Sequence, residues 1–530
     1  MPEARTPKPG LLSFREKRII RYAIFFVIIS RLLLMFRSEE RIYTRPYLED
    51  SYYLFNCAEH FAHGEGFTCD GKQPTNGVQP LIVILYAPLF LIAGSSKLLA
   101  LRLGFFLIAI FDSFSIVFLT RLIRLLQKKP IEENSPWKSP PVIAAILWAT
   151  LYPIFVHTGG GLETGLYSTM LIASLYCYTK LTRIREAGGG VGILQWISFG
   201  IILGFTVLSR IDSVFFVAAL AGYEFYRFKG KGFVSGAIIS VTAFVVSSPW
   251  WFYNLRIFGS LMPQSGSSES MGSVIGENML RSTSVIADIL MFFFFTPYYD
   301  LPVWTILLLT IAIFFVVLGV VRKLKLRDTL GNKYSLDILT PYLLFCGGIT
   351  IYYLLFFSAP HFLPRYLHPL RIYFLLLFSC ATPMLLEAID NFYRRSKASS
   401  ILTIGIFSLA ALGFSGVSYL RNFTTSKDND FYLIGEFALE HPREKIGMEQ
   451  SGTAGFIAAN IVNLDGKVNF EALQAKKRGD IGEYIEKEHL DYIADWREFS
   501  EPMVASAAKH GGKFQEMDSI GRVIIFRRVK

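Results

Sequence analysis

Cysteine is scarce in this sequence, with five residues among 530. Cys177, Cys346 and Cys380 lie inside apolar stretches and are predicted to be small packing residues. Cys57 and Cys69 share one polar loop and would pair only if that loop faced an oxidising compartment. The pattern therefore favours two free thiols over a disulfide at this loop.

Several functional signatures are also missing. No small-residue cleavage site follows the first apolar stretch, residues 19–35, which indicates a retained membrane span and not a signal peptide. Gly452-Thr453-Ala454-Gly455 lacks the glycine spacing and the following Lys-Ser/Thr of a nucleotide loop, so a tight turn is predicted. His361 and His368 have no carboxylate or cysteine partner at metal-ligand spacing, which argues against a zinc site.

Apolar residues, in contrast, are abundant. Hydrophobic residues make up 52% of the chain, 47 residues are phenylalanine, and the mean hydropathy is +0.40. Soluble domains do not carry so many apolar residues in long runs, so a polytopic membrane protein is predicted. The formal net charge of +11 does not indicate nucleic-acid binding. The lysines and arginines lie mostly between the apolar runs, where membrane topology explains them.

Positive charge also predicts the topology. The basic amino terminus is expected to be cytoplasmic, so that the first span crosses outward. Residues 81–93 are apolar but too short to cross, and are expected to lie along or dip into the outer leaflet. Pro249-Trp250-Trp251 is expected to open a long outer loop. About eleven spans are predicted, at residues 19–36, 98–120, 140–156, 163–179, 193–209, 213–227, 233–248, 301–321, 338–357, 369–388 and 400–420.

The long apolar runs end near residue 420, and this divides the chain in two. Residues 1–420 are predicted to form a mainly α transmembrane domain, with helices lying at the outer face between spans. Residues 421–530 are predicted to form a small extracytoplasmic α/β domain. Its short strands are expected at residues 445–448, 461–464, 490–494 and 523–526.

Two adjacent acids follow the first span, in the stretch Glu49-Asp50-Ser51-Tyr52-Tyr53. Burying like charges is costly without a cation or a proton, so paired acids usually face water or take part in chemistry. If the stretch continues as a helix, one face is shared by Glu49, Tyr52, Tyr53 and Asn56. The alternative is a solvated acidic turn at a helix start, where carboxylates interact well with the helix dipole.

Together these stretches resemble the C-type glycosyltransferases (GT-C), membrane enzymes that use polyprenyl-phosphate-linked sugars as donors. Glu49-Asp50 matches the acid pair that the family carries after its first span. Thr75-Asn76-Gly77-Val78-Gln79-Pro80-Leu81 occupies the place of a proline motif, but relatives often have His-Pro or Lys-Pro where this chain has Val78-Gln79. Segments that resemble outer-face motifs of bacterial members are Gly161-Leu162-Glu163-Thr164, Ser209-Arg210-Ile211-Asp212 and Pro364-Arg365-Tyr366-Leu367-His368-Pro369.

The resemblance implies an inverting glycosyltransferase in the inner or plasma membrane, with its active site at the extracytoplasmic face. Such transfer needs a base near the acceptor hydroxyl, for which Asp50 and Glu49 are the candidates. It also needs groups that hold the departing phosphate, and the candidates are Arg365, Arg210 and Lys72. Further predicted substrate-binding residues are Tyr53, Asn76, Gln79, Glu163, His361, Tyr366 and His368.

Several of these residues also have a purely structural interpretation. Arg365 would then be an arginine that snorkels to the membrane interface, and Arg210 would simply pair with Asp212. Glu163 would be an ordinary carboxylate at a helix start. Arg102 and Asp112 share one predicted span and are expected to be polar contacts between helices.

No cofactor is required by these motifs; the alternative is a divalent cation at the acidic pair. The predicted partners are a polyprenyl-phosphate sugar donor, membrane lipids, and a lipid, glycan or protein acceptor, without nucleic acid. The rival functions are a transporter or flippase for lipids or sugars, and a non-catalytic membrane scaffold. A transporter places ionisable residues at mid-span and has repeated halves broken by glycine or proline. Here the paired acids lie in an outer loop, and no repeat is visible.

Overall fold

The structure is a computed structural model that describes residues 12–128, 136–271, 275–276, 326–357, 363–393, 416–417, 420 and 430–529. The helices of the first half of the chain are α1 (Phe14–Leu32), α2 (Glu39–Thr44), α3 (Ser51–Ala62), α4 (Pro80–Ala93), α5 (Lys97–Leu126), α6 (Pro140–Thr150), α7 (Tyr152–Thr158), α8 (Thr164–Glu186), α9 (Ile193–Ser209), α10 (Val214–Phe258) and α11 (Gln264–Glu269).

The remaining helices are α12 (Leu326–Lys333), α13 (Thr340–Phe356), α14 (Leu363–Tyr366), α15 (His368–Tyr393), α16 (Asp430–Glu440), α17 (Gly452–Ile457), α18 (Phe470–Lys477), α19 (Ile481–Lys487) and α20 (Arg497–Ala508). The strands are β1 (Ile446–Met448), β2 (Ile461–Asn463), β3 (Tyr492–Trp496), β4 (Phe514–Ile520) and β5 (Val523–Arg528). The architecture is therefore mainly helical, with one small sheet near the carboxyl terminus.

Long apolar helices make the chain an integral membrane protein. Five helices in the described ranges are long and apolar enough to cross a bilayer, and α6 and α7 form a further broken pair bent by 63°. The predicted span at residues 301–321 lies outside the residues described, and only residues 416–417 and 420 of the predicted span at 400–420 are described. The predicted total of spans therefore stays a prediction.

Helix α10 contains two of the predicted spans, joined by a reversal of the chain at Lys229, where φ is 52°. Glu224 before the reversal accepts a hydrogen bond of 2.6 Å from the hydroxyl of Ser235 after it. The two segments therefore pack against each other in opposite directions. This agrees with separate spans at residues 213–227 and 233–248.

The predicted loop start at Pro249 is wrong, because α10 continues through Pro249 to Phe258. Trp250 packs against Phe67 at 5.0 Å and Tyr253 at 5.2 Å between ring centroids. These contacts stabilise the helix beyond the proline. Proline removes one backbone hydrogen bond, and membrane helices often tolerate that loss. Trp250 thus packs inside the protein.

Short helices position the acidic stretch at the end of the bundle. Helix α4 has 14 residues, which at about 1.5 Å each is too short for a bilayer core of about 30 Å. It lies beside α3, where Phe55 stacks on Tyr86 with 4.6 Å between ring centroids. Tyr47, just before the acids, stacks on Phe105 of α5 at 4.5 Å. This aromatic cluster fixes the backbone from which Glu49 and Asp50 project.

Asp112 on α5 connects helices, as predicted. Its carboxylate lies 2.9 Å from the Arg31 guanidinium on α1 and accepts a hydrogen bond of 3.2 Å from the Trp148 indole on α6. All three side chains are buried. The pair therefore joins three helices within the apolar layer.

The sheet has the order β2-β1-β3-β5-β4, with β1 parallel to β2 and β3, and β5 antiparallel to β3 and β4. The four predicted strands coincide with β1, β2, β3 and β5. Strand β4 was missed because most of its side chains are exposed and polar, so no apolar alternation marks it. The predicted tight turn at Gly452 is wrong: that segment is the first turn of helix α17.

The α/β region packs directly on the helical part of the chain. Phe456 of α17 is fully buried and lies 5.5 Å from Tyr52 and 6.2 Å from Phe55, measured between ring centroids. Lys97 at the start of α5 donates a hydrogen bond of 2.7 Å to the Phe456 carbonyl. Residues of the α/β region are thereby brought beside the acidic stretch.

Candidate active site

Asp50 lies at the wall of a cavity of about 480 Å³, immediately before helix α3. The helix begins at Ser51, so the prediction that Glu49 shares a helical face with Tyr52, Tyr53 and Asn56 is wrong: Glu49 precedes the helix. The chain turns at this point, with the Ser51 amide donating to the Leu48 carbonyl at 2.8 Å. The turn points the two adjacent carboxylates in different directions.

Two cations contact the Asp50 carboxylate. Arg365 Nη1 lies 3.4 Å from one carboxylate oxygen, and Lys467 Nζ lies 3.6 Å from the other. The Asp50 side chain is only 19% exposed. The structure thus brings together two predicted residues that are 315 positions apart, Asp50 and Arg365.

Lys467 was not predicted from the sequence, and neither was its closest carboxylate, Glu269 of α11. Lys467 Nζ lies 2.9 Å from Glu269 and 3.6 Å from Asp465. Lys467 sits in a turn that follows the carboxyl end of the parallel strand β2. Ligand-contacting loops commonly lie at such strand ends, and this was the one signal available in the sequence.

Glu49 faces away from this cavity and contacts the α/β region. Its carboxylate accepts hydrogen bonds from the Thr453 backbone amide, at 3.0 Å, and from the Thr453 hydroxyl. Burial raises the pKa of Glu49 to about 7, and the charge of Asp50 adds to the rise, whereas the Thr453 hydrogen bonds oppose it. The acid next to Asp50 therefore anchors α17 to the acidic stretch.

Arg210 is bound by several groups within the cavity wall. Its guanidinium lies 2.8 Å from Glu163 and 3.0 Å from Asp212, and it donates a hydrogen bond of 3.1 Å to the Tyr353 hydroxyl. The predicted alternative, pairing with Asp212, is therefore present, and Glu163 is a second partner. Both acids are largely buried.

Tyr366 lies between the two arginines. The Arg210 guanidinium is 4.6 Å and the Arg365 guanidinium 5.1 Å from the centroid of its ring. Tyr353 stacks on the same ring at 4.6 Å with an interplanar angle of 13°. These contacts hold the Arg365 side chain at the cavity wall. An arginine that only snorkels to the membrane interface would not require such contacts.

The proline-motif segment forms another part of the wall. Gln79 accepts a hydrogen bond of 3.3 Å from the Ile211 amide and lines the cavity. Asn76 is fully buried and accepts a hydrogen bond of 2.9 Å from the Gln264 amide, so it holds α11 in place. Gln79 is thus at the cavity, whereas Asn76 supports the wall from behind.

The other predicted residues lie in different places. Tyr53 lines the cavity and also a second cavity of about 250 Å³. Lys72 is exposed at that second cavity, so the structure does not bring it to Asp50. His368 is buried 5.4 Å from His157 between ring centroids and does not line the cavity. His361 lies outside the residues described.

Neither a metal-ligand cluster nor a disulfide is present among the described side chains. Within the ranges that the structure describes, no three His, Cys, Asp or Glu side chains come together to hold a metal ion. Glu49 and Asp50 line different cavities, so they do not form a shared ligand set. Cys57 and Cys69 are free thiols, and Cys69 donates to the Tyr53 carbonyl at 3.3 Å.

Much of the cavity wall is apolar and aromatic. Residues with such side chains come from α3, the segment before α4, α10, the segment before α11, and α13 with the residue after it, and they are Leu54, Val78, Val214, Phe215, Leu261, Met262, Tyr352 and Phe357. Leu261 and Met262 are 50% and 45% exposed. The cavity therefore combines a charged end at Asp50 with a large apolar surface.

Solved structures share this architecture along nearly the whole chain. A crystal structure of ArnT from Cupriavidus metallidurans bound to undecaprenyl phosphate superposes with a TM-score of 0.56 and 12% sequence identity, covering 96% of this chain and 97% of that chain. The same enzyme in the apo state gives a TM-score of 0.57 and 11% identity with the same coverage. The chain has a GT-C fold.

The GT-C resemblance predicted from the motifs is thus confirmed at the level of the fold. No protein-family profile matches the sequence, and no curated protein matches it by sequence. The GT-C likeness therefore rests on three-dimensional structure. It extends through the helical part and the α/β region alike, since the aligned share of the chain is 96%.

Proposed function

We propose that this protein is an inverting glycosyltransferase that moves a sugar from a polyprenyl-phosphate donor to an acceptor hydroxyl. The observation that carries the proposal is the position of Asp50 in the cavity wall, with Arg365 at 3.4 Å. A carboxylate and a guanidinium side by side supply the base and the phosphate-binding group that this chemistry needs. The active site would lie at the extracytoplasmic face of an inner or plasma membrane, as the positive-charge distribution predicts.

In the proposed reaction, the acceptor hydroxyl oxygen forms a bond to the anomeric carbon as the bond from that carbon to the phosphate oxygen breaks. Asp50 takes the hydroxyl proton. The polyprenyl phosphate leaves with the additional negative charge, which Arg365 stabilises. Attack from the side opposite the phosphate inverts the anomeric configuration.

This geometry requires the sugar to lie between Asp50 and the departing phosphate. Asp50 and Arg365 lie 3.4 Å apart, longer than the 2.7–2.9 Å typical of a strong charge-assisted hydrogen bond. Donor binding would exchange this contact for one between Arg365 and the phosphate. Arginine is suited to that role because its planar fork can bind two phosphate oxygens and keeps its charge.

The apolar part of the cavity supports a lipid-linked donor. A polyprenyl chain needs an apolar surface continuous with the membrane, and exposed Leu261 and Met262 provide one near the charged end. The related ArnT structure contains bound undecaprenyl phosphate. We therefore expect a polyprenyl phosphate of that chemical class to bind here.

Arg210 would act in this site by positioning other groups. Because Glu163, Asp212 and Tyr353 already bind its guanidinium, it holds the Tyr353–Tyr366 stack that supports Arg365. Glu163 is committed to the same cluster, which leaves Asp50 as the acid best placed to meet the acceptor. The acceptor itself would be a lipid, a glycan or a protein.

A divalent cation fits this arrangement less well than the two basic side chains do. Glu49 is engaged by Thr453 and lines another cavity, so Asp50 would be the sole member of the pair to bind the ion. Arg365 and Lys467 supply positive charge at both Asp50 oxygens. We therefore propose transfer that does not depend on a metal ion.

The test uses the full-length protein in proteoliposomes with undecaprenyl-phosphate-linked sugars of several kinds. Release of undecaprenyl phosphate together with sugar transfer to membrane-extract acceptors is expected for the wild type, with and without EDTA. Asp50→Asn should release very little, and Glu39→Gln, an exposed acid on α2, should match the wild type. Movement of intact donor across the membrane without release would favour the flippase alternative. Loss of transfer in EDTA that Mg²⁺ or Mn²⁺ restores would refute the metal-free mechanism.

A further inference from the structure

We propose that Lys467, from the α/β region, is a second phosphate-binding residue of this site, so that the α/β region completes the active site. This inference rests on the proposed function, because it assigns a role in binding the polyprenyl phosphate. The motif segment Thr75-Asn76-Gly77-Val78-Gln79-Pro80-Leu81 contributes no cation to the cavity. Lys467 brings one to the same place from a distant part of the chain.

The backbone around Lys467 is fitted against that motif segment. A Cβ atom added to Gly77 would lie 1.7 Å from the Lys467 carbonyl oxygen, so a side chain at position 77 is incompatible with this approach. The turn that carries Lys467 contains Gly466 at a φ of 81°, which favours glycine. Asp465 accepts a hydrogen bond of 2.7 Å from the Lys467 amide and fixes the turn. Lys467 therefore enters the cavity from a rigid support.

Acids from three segments lie near the ammonium group of Lys467. Glu269 of α11 lies at 2.9 Å, and Asp50 and Asp465 each lie at 3.6 Å. Burial lowers the pKa of Lys467, but Asp50, Asp465 and Glu269 outweigh it and keep that pKa well above its ordinary value. Lys467 thus remains a cation with only 13% of its side chain exposed.

The charge balance of the cavity explains why a second cation matters. Among the residues that the structure describes, the cavity is lined by four acids, Asp50, Glu163, Asp212 and Glu269, and by three basic residues, Arg210, Arg365 and Lys467. Arg210 is paired with both Glu163 and Asp212. Without Lys467, Arg365 would be the one remaining cation of the described lining to face Asp50, Glu269 and the anionic phosphate of the donor. Like charges in a partly buried site repel strongly, so one cation would be insufficient.

The competing explanation is that Lys467 only forms ion pairs that attach the α/β region to the helical part. That role and phosphate binding make different predictions for the two partners of the closest pair. Loss of either Lys467 or Glu269 breaks the 2.9 Å contact and would weaken an attachment equally. If Lys467 binds phosphate, the two substitutions change the affinity for phosphate in opposite directions, because Lys467 attracts the phosphate and Glu269 repels it.

The experiment measures binding of undecaprenyl phosphate to the purified full-length protein in detergent, by titration with a fluorescence or calorimetric readout. Lys467→Met should raise Kd by about tenfold or more, as expected for loss of a charge-assisted contact. Glu269→Gln should leave Kd unchanged or lower it. Lys476→Met is the matched control: this partly buried lysine of the same region pairs with Glu449 and does not line the cavity, so its Kd should stay at the wild-type value.

The outcomes separate this inference from the proposed function. If the wild type does not bind undecaprenyl phosphate, the lipid-phosphate function fails, and the role of Lys467 fails with it. If the wild type binds and Lys467→Met binds equally well, the role of Lys467 alone is overturned. Equal weakening in Lys467→Met and Glu269→Gln would assign both residues to attachment only. Should Lys467→Met not fold, a weakened Glu269→Gln would still overturn the inference.

Discussion

Glu49 accepts hydrogen bonds from the backbone amide and the hydroxyl of Thr453, across 404 positions of the chain. Asp50, the next residue, faces the cavity with Arg365 and Lys467 at its two carboxylate oxygens. Two adjacent acids therefore have different surroundings: one is bound by the α/β region and the other faces the proposed substrate. Their substitutions should differ accordingly.

Asp50→Asn should reduce sugar transfer by about 10²–10⁴-fold, the usual cost of losing a positioned general base. The substitution preserves volume and removes the charge, so the protein should remain folded with bound lipid phosphate. Transfer rates at saturating donor and the thermal unfolding temperature together check this. Wild-type transfer by Asp50→Asn would remove Asp50 from the catalytic step.

Glu49 should make stability depend on pH. Its pKa is about 7 in the folded protein against 4.5 in its ordinary state, so the folded form binds more protons than the unfolded form between those values. The contribution of Glu49 is therefore present below pH 4.5 and is lost as the pH rises toward 7. Unfolding temperatures across this interval should fall less steeply in Glu49→Gln than in the wild type.

The wild-type pH profile alone would not isolate this effect, because burial also raises the pKa of Asp495 to about 7. The difference between the wild type and Glu49→Gln cancels that contribution. Parallel profiles for the two proteins would contradict a titrating Glu49. A flatter profile with transfer largely retained would separate the roles of the two acids.

Arg365→Lys should weaken use of the donor but retain some activity, since lysine keeps the positive charge but cannot form a bidentate contact with the phosphate. Arg365→Ala should lose more, mainly in the maximal rate, because the leaving phosphate loses its stabilisation. Transfer measured against donor concentration distinguishes the two variants. Unchanged kinetics in Arg365→Ala would place the residue outside the site.

Arg210→Gln should destabilise the protein more than it alters the chemistry. It leaves Glu163 and Asp212 buried without their cation, and breaking a buried ion pair typically costs about 3–5 kcal/mol. Thermal unfolding in detergent checks this, with Arg478→Gln as the control, because the Arg478–Glu483 pair is exposed. Equal unfolding temperatures for the two variants would contradict a structural role for Arg210.

The segment between α1 and α4, which contains Glu49, Asp50 and Glu65, should be labelled from the same, non-cytoplasmic side as the α/β region. In a cysteine-free background, Glu65→Cys and Ser519→Cys occupy exposed positions on the two segments, and Ala187→Cys lies after α8 where a cytoplasmic position is expected. An impermeant maleimide applied to intact cells should modify the first two and spare the third. Labelling of only one of the first two would be incompatible with the contacts between Glu49 and Thr453.

Local sequence patterns determined much of the architecture. Long apolar runs gave the membrane helices, and four short apolar stretches gave the buried strands, because hydrophobic period and length are properties of the local chain. Strand β4 and the continuation of α10 past Pro249 were not predictable in this way. Exposed side chains leave no apolar pattern in β4, and aromatic packing from elsewhere in the chain overrides the local effect of the proline.

Some residues of the candidate site could likewise be predicted from the local sequence, and others could not. The acid pair and Arg365 could be found in the sequence, since a like-charge pair after a span and an arginine in a proline-rich segment are unusual locally. Only the tertiary structure placed Glu49 on Thr453, joined Arg210 to Glu163, and brought Lys467 and Glu269 to Asp50. Those contacts depend on how the α/β region packs against α3 and the segment around Gly77. Packing of distant segments is set by many side chains at once and leaves no signal at any single position.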